Sequence, residues 1–196
     1  MLVLVTGFTP FGKEVVNPSY LAVKNLPSVI EGANIIVREI TTDFSRSFEE
    51  LNALISQYNP DIIINVGQSG NSKAIAIEKV GLNYKIKENV GDADYLIFGG
   101  QTAYFATLPV ENIVEAIKKA DIPVVLSLSA GSYVCNSVLY RLLQQNKRYI
   151  NGFIHVPYIK EQVVDKPSAP YMELSLMTNA IEIAIKESII YYATLK

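Results

Sequence analysis

The sequence predicts an α/β protein, a three-layer α/β/α sandwich around a largely parallel, mixed and twisted sheet, built as a single domain over residues 1–196. Three observations carry this. Short β-branched apolar runs alternate with stretches of helical period in the order β-α-β-α-β. The runs are near-continuous rather than alternating, as in strands covered on both faces. At 196 residues the chain can bury roughly 70% of the surface its unfolded form exposes, enough for one sizeable core, and it has no internal repeat, low-complexity tract or linker.

The first strand is read at residues 2–6 (LVLVT) and is followed by the loop TGFTPFGKEVVNPS (6–19) and a helical stretch SYLAVKNL (19–26). A second strand, NIIVREI (34–40), leads to the helix SFEELNALISQY (47–58), where Ser47 and Glu50 have capping-box spacing. DIIINV (61–66) is the third strand. AIAIEKVGLNYKI (74–86) begins with period two and reads as a strand or hairpin arm, whereas the Gly- and Asp-rich stretch 87–109 reads as a loop, long enough to be functional or mobile. The helix ENIVEAIKKA (111–120), the strand IPVVLSL (122–128), a helix opening at Cys135 and the strand GFIHV (152–156) complete the alternation. A final helix over 171–193 carries Leu174, Met177, Ile181, Ala184 and Ile185 on one stripe, which predicts that it covers one face of the sheet.

Composition excludes several classes. With 17 basic and 19 acidic residues and no basic stripe, the chain has nothing to neutralise a phosphate backbone, so no nucleic-acid partner is expected. A single cysteine permits no internal disulfide, and MLVLVTGF lacks the basic flank and long apolar run of a signal peptide, so a cytoplasmic location is expected. No run approaches the roughly 20 apolar residues of a membrane span; even the apolar C-terminal stretch carries Glu182, Lys186 and Glu187. The positive mean hydropathy, +0.22, therefore points to core or to a subunit interface.

Cys135 lies between the turn AGSY and the helix CNSVLYRLLQQ. A helix N-terminus lowers a thiol pKa and offers N–H groups to an oxyanion, as a nucleophile requires, although a lone cysteine also serves as a small core hydrophobe. The base is sought in the chain's one histidine, His155, at the end of an apolar strand. One βαβ step from Cys135 predicts neighbouring strand ends at the same edge of the sheet. Glu78, which interrupts the apolar alternation of AIAIEKVG, is the candidate carboxylate to orient the imidazole, or else a solvated strand residue. Phe8 and Phe11 flank Pro10 in the first loop and either grip a flat ligand or plug the core; Asn17 is a helix cap or a ligand hydrogen-bonder. VGQSGNS (66–72) lacks the GK[ST] of a phosphate loop. No metal site and no cofactor is implied.

Taken together, TGFTPFGKEVVNPS, DIIINVGQSG, IEKV, AGSYVCN and GFIHVPYIKEQ resemble pyrrolidone carboxyl peptidase (pyroglutamyl peptidase I), in that family's order and over nearly the whole chain. The resemblance implies a single peptidase domain of α/β/α fold and a Cys–His–Glu triad of Cys135, His155 and Glu78. It also implies an N-terminally pyroglutamylated peptide as substrate, its lactam held between Phe8 and Phe11 with Asn17, Gln68, Tyr133 and Val134 around it, and a homotetramer. The chain departs from the family at YKIKENVG (84–91), where Lys85 stands in place of an arginine and the segment is shorter. Two rival readings are a non-catalytic module that captures blocked N-termini and a nucleoside-phosphorylase-like enzyme.

Overall fold

The computed structural model describes residues 1–86, 93–145 and 147–196. Its centre is a seven-stranded sheet. Strands β1 (Leu2–Phe8), β3 (Ala33–Ile40), β4 (Ile62–Gln68) and β11 (Ile150–Val156) run parallel, with the short β2 (Val29–Ile30) antiparallel at one edge. On the other side of β11 lie β5 (Ile75–Glu78) and β10 (Val124–Ser127), parallel to each other, with β5 antiparallel to β11. The order is β10-β5-β11-β4-β1-β3-β2.

The central strands are the uninterrupted apolar runs. Six of the seven residues of β4 and all seven of β11 are buried, because helices cover both faces. Helices α1 (Pro18–Val23), α3 (Val110–Lys119) and α5 (Leu174–Thr194) pack one face, and α2 (Ser47–Tyr58) and α4 (Val134–Gln144) the other. The predicted stripe of α5 meets the sheet: Met177, Ile181, Ala184 and Ile185 are fully buried.

Three expectations need correction. β10 is an edge strand, not covered on both faces, and Val125, Leu126 and Leu128 at and after it are exposed. Of the two readings of the stretch from 74, strand or hairpin arm, the strand holds for β5, which is fully buried and interior to the sheet. The stretch 87–109 is not all loop: β9 (Ala103–Phe105) pairs with β6 (Val80–Leu82), and β8 (Ala93–Asp94) with β7 (Lys85–Ile86), while 87–92 lies outside the described residues. The Ser47–Glu50 capping box does not form. Asp43 Oδ1 accepts from the Ser45 and Arg46 N–H groups ahead of α2, and Glu50 turns back to accept from the Thr41 N–H and hydroxyl, both at 2.7 Å. The two N–H groups that a box would use are taken by main-chain carbonyls, Ser47 N–H by Asp43 O at 3.1 Å and Glu50 N–H by Arg46 O at 2.9 Å.

Candidate active site

The sheet register brings the chemistry to one face. Thr6 lies opposite Asn65, Asn65 opposite Phe153, and Phe153 opposite Glu78; one step along, Gly67, His155 and Ala76 form the next row. Residues opposite or two apart share a face, so Phe8, Gly67, Phe153, His155 and Glu78 all point toward the α2–α4 layer. Glu78 and His155 are therefore diagonal neighbours on adjacent strands, and Glu78 Oε1 lies 2.8 Å from His155 Nδ1.

Cys135 reaches this face by a route other than the expected one. The strand before it, β10, is separated from β11 by β5 and runs antiparallel to β11, so the two are not neighbouring strand ends of a single βαβ step. Instead α4 lies back across the face, and its second residue, Cys135, sits over Gly67: a Cβ at Gly67 would come 2.9 Å from Cys135 Sγ and 2.8 Å from the Phe153 ring. Asn136 fixes that first turn. Its side chain accepts from Leu82 N–H and donates to the carbonyls of Leu82 and Tyr84, each at 2.8 Å.

The electrostatics follow from burial. His155 is 7% exposed and Glu78 2%. A carboxylate accepts only, so Nδ1 carries the proton shared with Glu78, leaving Nε2 as the second functional nitrogen. Desolvation pushes the imidazole pKa down. The charge and hydrogen bond of Cys135, and then those of Glu78, more than offset this and raise it to about 10. The other carboxylate oxygen, Glu78 Oε2, is buried and has no hydrogen-bond partner among the described residues.

A cavity of about 750 Å³ opens above these three residues. Every candidate site residue lines it: Phe8, Phe11, Asn17, Gln68, Tyr133 and Val134 surround Glu78, Cys135 and His155. They differ in what else they do. Phe8 is 1% exposed and packs in the core against Phe153, ring centroids 6.0 Å apart, whereas Phe11 is 43% exposed at the rim. Asn17 is the cap of α1, accepting from Ser19 N–H at 3.1 Å and donating to Thr9 O at 3.0 Å. Lys85 lies in β7 opposite Asp94 and is not part of the lining. Sequence reasoning missed Thr42, Asp43 and Phe44, and also Ser127 and Ser129. The first three follow the carboxyl end of β3, where parallel α/β sheets place ligands, and that rule could have found them.

Comparison with known proteins agrees with this fold. A family model described as pyroglutamyl peptidase matches residues 1–191. Pyrrolidone-carboxylate peptidase 1 of Caldanaerobacter subterraneus subsp. tengcongensis is 47% identical over 95% of this chain and 97% of its own length. The pyrrolidone-carboxylate peptidase of Thermosipho africanus is 47% identical over 95% and 96%. Among solved structures, pyroglutamyl peptidase I of Bacillus amyloliquefaciens superposes with a TM-score of 0.91 at 39% identity, covering 97% of this chain and 98% of that one. A mutant pyrrolidone carboxyl peptidase of Pyrococcus furiosus does so with 0.91 at 33%, covering 97% and 99%. These relatives favour neither the binding module nor the phosphorylase. The chain belongs to the pyroglutamyl peptidase family and is a hydrolase of the cysteine omega-peptidase type.

Proposed function

We propose that this protein removes N-terminal pyroglutamate from peptides through a Cys135–His155–Glu78 triad and an acyl-enzyme. The observation that carries the reading is the 2.8 Å Glu78–His155 contact beneath a cavity that also holds Cys135 at the start of α4. With its raised pKa His155 already holds the proton of the Cys135–His155 pair, and the Cys135 thiolate sulfur attacks the carbonyl carbon after the lactam ring. The N–H groups of the first turn of α4 have no intrahelical acceptor and face the developing oxyanion. As the C–N bond breaks, His155 returns the proton to the leaving amine. A water then attacks the thioester, giving a proton to His155, and pyroglutamate leaves as the Cys135 sulfur regains its electron pair. Glu78 holds the ring in the tautomer this exchange needs and stabilises the imidazolium.

The lining suits the ring. Pyroglutamate is uncharged and nearly flat, and Phe11 and Val134 offer apolar surface beside the polar Gln68, whereas free glutamate would enter with charges to desolvate. One peptidase domain spans residues 1–196. A cytoplasmic setting belongs to the same proposal, since a lone catalytic thiol works in a reducing compartment. So does a homotetramer, supported by the apolar exposure of Val125, Leu126, Phe98 and Phe105 and testable by light scattering. No helix among the described residues is long and apolar enough to cross a membrane.

The test of function is release of a fluorophore from a pyroglutamyl amide, run beside a prolyl amide. The proposal expects rapid release from the lactam and little from the prolyl compound. It expects a pyroglutamyl ligand to protect Cys135 from iodoacetamide. Equal turnover of the two amides, or alkylation that abolishes nothing, overturns it.

A further inference from the structure

One buried side chain behind the cavity ties together the first loop and the end of β4. Gln162, in the 3-10 turn Lys160–Val163, is 5% exposed and does not line the cavity. Its Nε2 lies 3.0 Å from Glu14 Oε2, 3.3 Å from Val16 O and 3.0 Å from Gln68 Oε1, and its Oε1 accepts the Ile159 N–H at 3.3 Å.

The polarity of this cluster is forced. Glu14 is held as a carboxylate by Lys166 Nζ, which donates to its other oxygen, so Glu14 accepts only; the Val16 carbonyl likewise only accepts. The Gln162 amide must therefore present nitrogen to them. Gln68, meeting that nitrogen, must present its oxygen. Its own Nε2 then faces away from the cluster and, among the described residues, has no hydrogen-bond partner, while Gln68 itself lines the cavity.

We propose that Gln162 is a positioning residue for substrate selection: by fixing Gln68 oxygen-inward, it aims the Gln68 amide donor into the cavity, where it selects a ring bearing a carbonyl acceptor. This rests on the pyroglutamyl reading above. Without Gln162 the Gln68 amide can turn, and an acceptor-bearing ligand then meets an oxygen in part of the population. A site built to hydrogen-bond its substrate discriminates through such a group, because an unmatched polar pair is left behind.

The experiment measures KM and kcat on a pyroglutamyl amide for Gln162→Met and Gln162→Glu, each alone and in a Gln68→Met background. Gln162→Glu keeps the shape; its carboxyl shares one proton with Glu14, 3.0 Å away in the wild type, has none left for Gln68, and turns the Gln68 amide round. Alone, each is expected to raise KM about tenfold with kcat within about twofold of wild type. In the Gln68→Met background neither is expected to change KM further, because nothing remains to be aimed. The rate of Cys135 alkylation without substrate is expected to stay at the wild-type value. A KM change of equal size in both backgrounds, or kcat and alkylation rate falling together with KM, overturns the proposal and leaves Gln162 as a structural tie. If Gln162→Met melts below the assay temperature, Gln162→Glu decides. Failure of the pyroglutamyl reading would show separately, as wild-type enzyme that does not prefer the lactam.

Discussion

At the scale of residues, the chain's single cysteine and single histidine make the site unusually easy to interrogate, since each gives one unambiguous signal. His155 has its pKa raised against desolvation by Cys135 first and Glu78 second. Nitrogen NMR of the imidazole should therefore show a protonated ring well above the ordinary range near 6.5, with a lower pKa in Cys135→Ala; an unchanged titration in that variant would mean the thiol and imidazole do not interact. The two phenylalanines that the sequence treats as a pair do different jobs. Phe8 is a core residue with one edge in the cavity, so Phe8→Ala should cost about 3–5 kcal/mol of stability, read by denaturant unfolding. Phe11, at the rim, should leave stability nearly unchanged when cut to alanine and lose on the order of 1–3 kcal/mol in kcat/KM. Equal effects of the two on stability would contradict the burial difference. Cys135, His155 and Glu78 were legible in the sequence because each residue type stands out in its surroundings. Gln162 was not, because a polar residue in a turn looks solvated until Glu14, Val16 and Gln68, distant in sequence, close around it.

At the scale of elements, β4 and β11 form the floor on which the cavity is laid, and Gly67 is the position where that floor makes room for the Cys135 sulfur. Gly67→Ala would force a methyl into Cys135 Sγ and the Phe153 ring. Overpacking of this kind costs about 1–3 kcal/mol, so a melting temperature lower by several degrees and a slower alkylation of Cys135 are expected together; a variant that melts and reacts like wild type would place the sulfur elsewhere. The apolar runs of β1, β4 and β11 were readable because strands buried on both faces have nothing polar to hide. The place and direction of β5 were not, because pairing across the sheet is a long-range choice that four residues, IAIE, cannot encode alone. The same limit explains the error about α4: the sequence supplies a strand, a turn and a helix, but the insertion of β5 between β10 and β11 decides which face the helix crosses. The misread start of α2 is local instead: the Glu50 carboxylate is drawn to Thr41, and the Ser47 and Glu50 N–H groups bond the carbonyls of Asp43 and Arg46.

At the scale of the whole molecule, acid stability should follow the carboxylates that fasten the sheet to its surroundings. Burial works to raise the Asp61 pKa, but bonds from the Leu2 N–H and Tyr192 hydroxyl and the charge of Lys196 outweigh it, and the pKa is lowered. Glu50 is lowered in the same way, burial being outweighed by Thr41 and Arg46. A carboxyl with a depressed folded-state pKa contributes stability that is present above its unfolded value and lost as pH falls through the folded one. The melting temperature should thus hold steady between about pH 5 and 8 and drop below about pH 4, with the drop reduced in Asp61→Asn; a drop unaffected by that change would assign acid sensitivity to other groups. The three-layer order was legible because the period of hydrophobicity switches from strand to helix along the chain, whereas the cavity, made from loops that meet only after the sheet forms, was legible only in part. The central claim, that catalysis passes through the Cys135 sulfur, is tested most directly by the turnover of Cys135→Ser on a pyroglutamyl amide. The exchange is nearly isosteric, so the variant should fold and melt like wild type while kcat falls by about three orders of magnitude or more; a folded Cys135→Ser that keeps more than about a tenth of wild-type turnover would contradict covalent thiol catalysis.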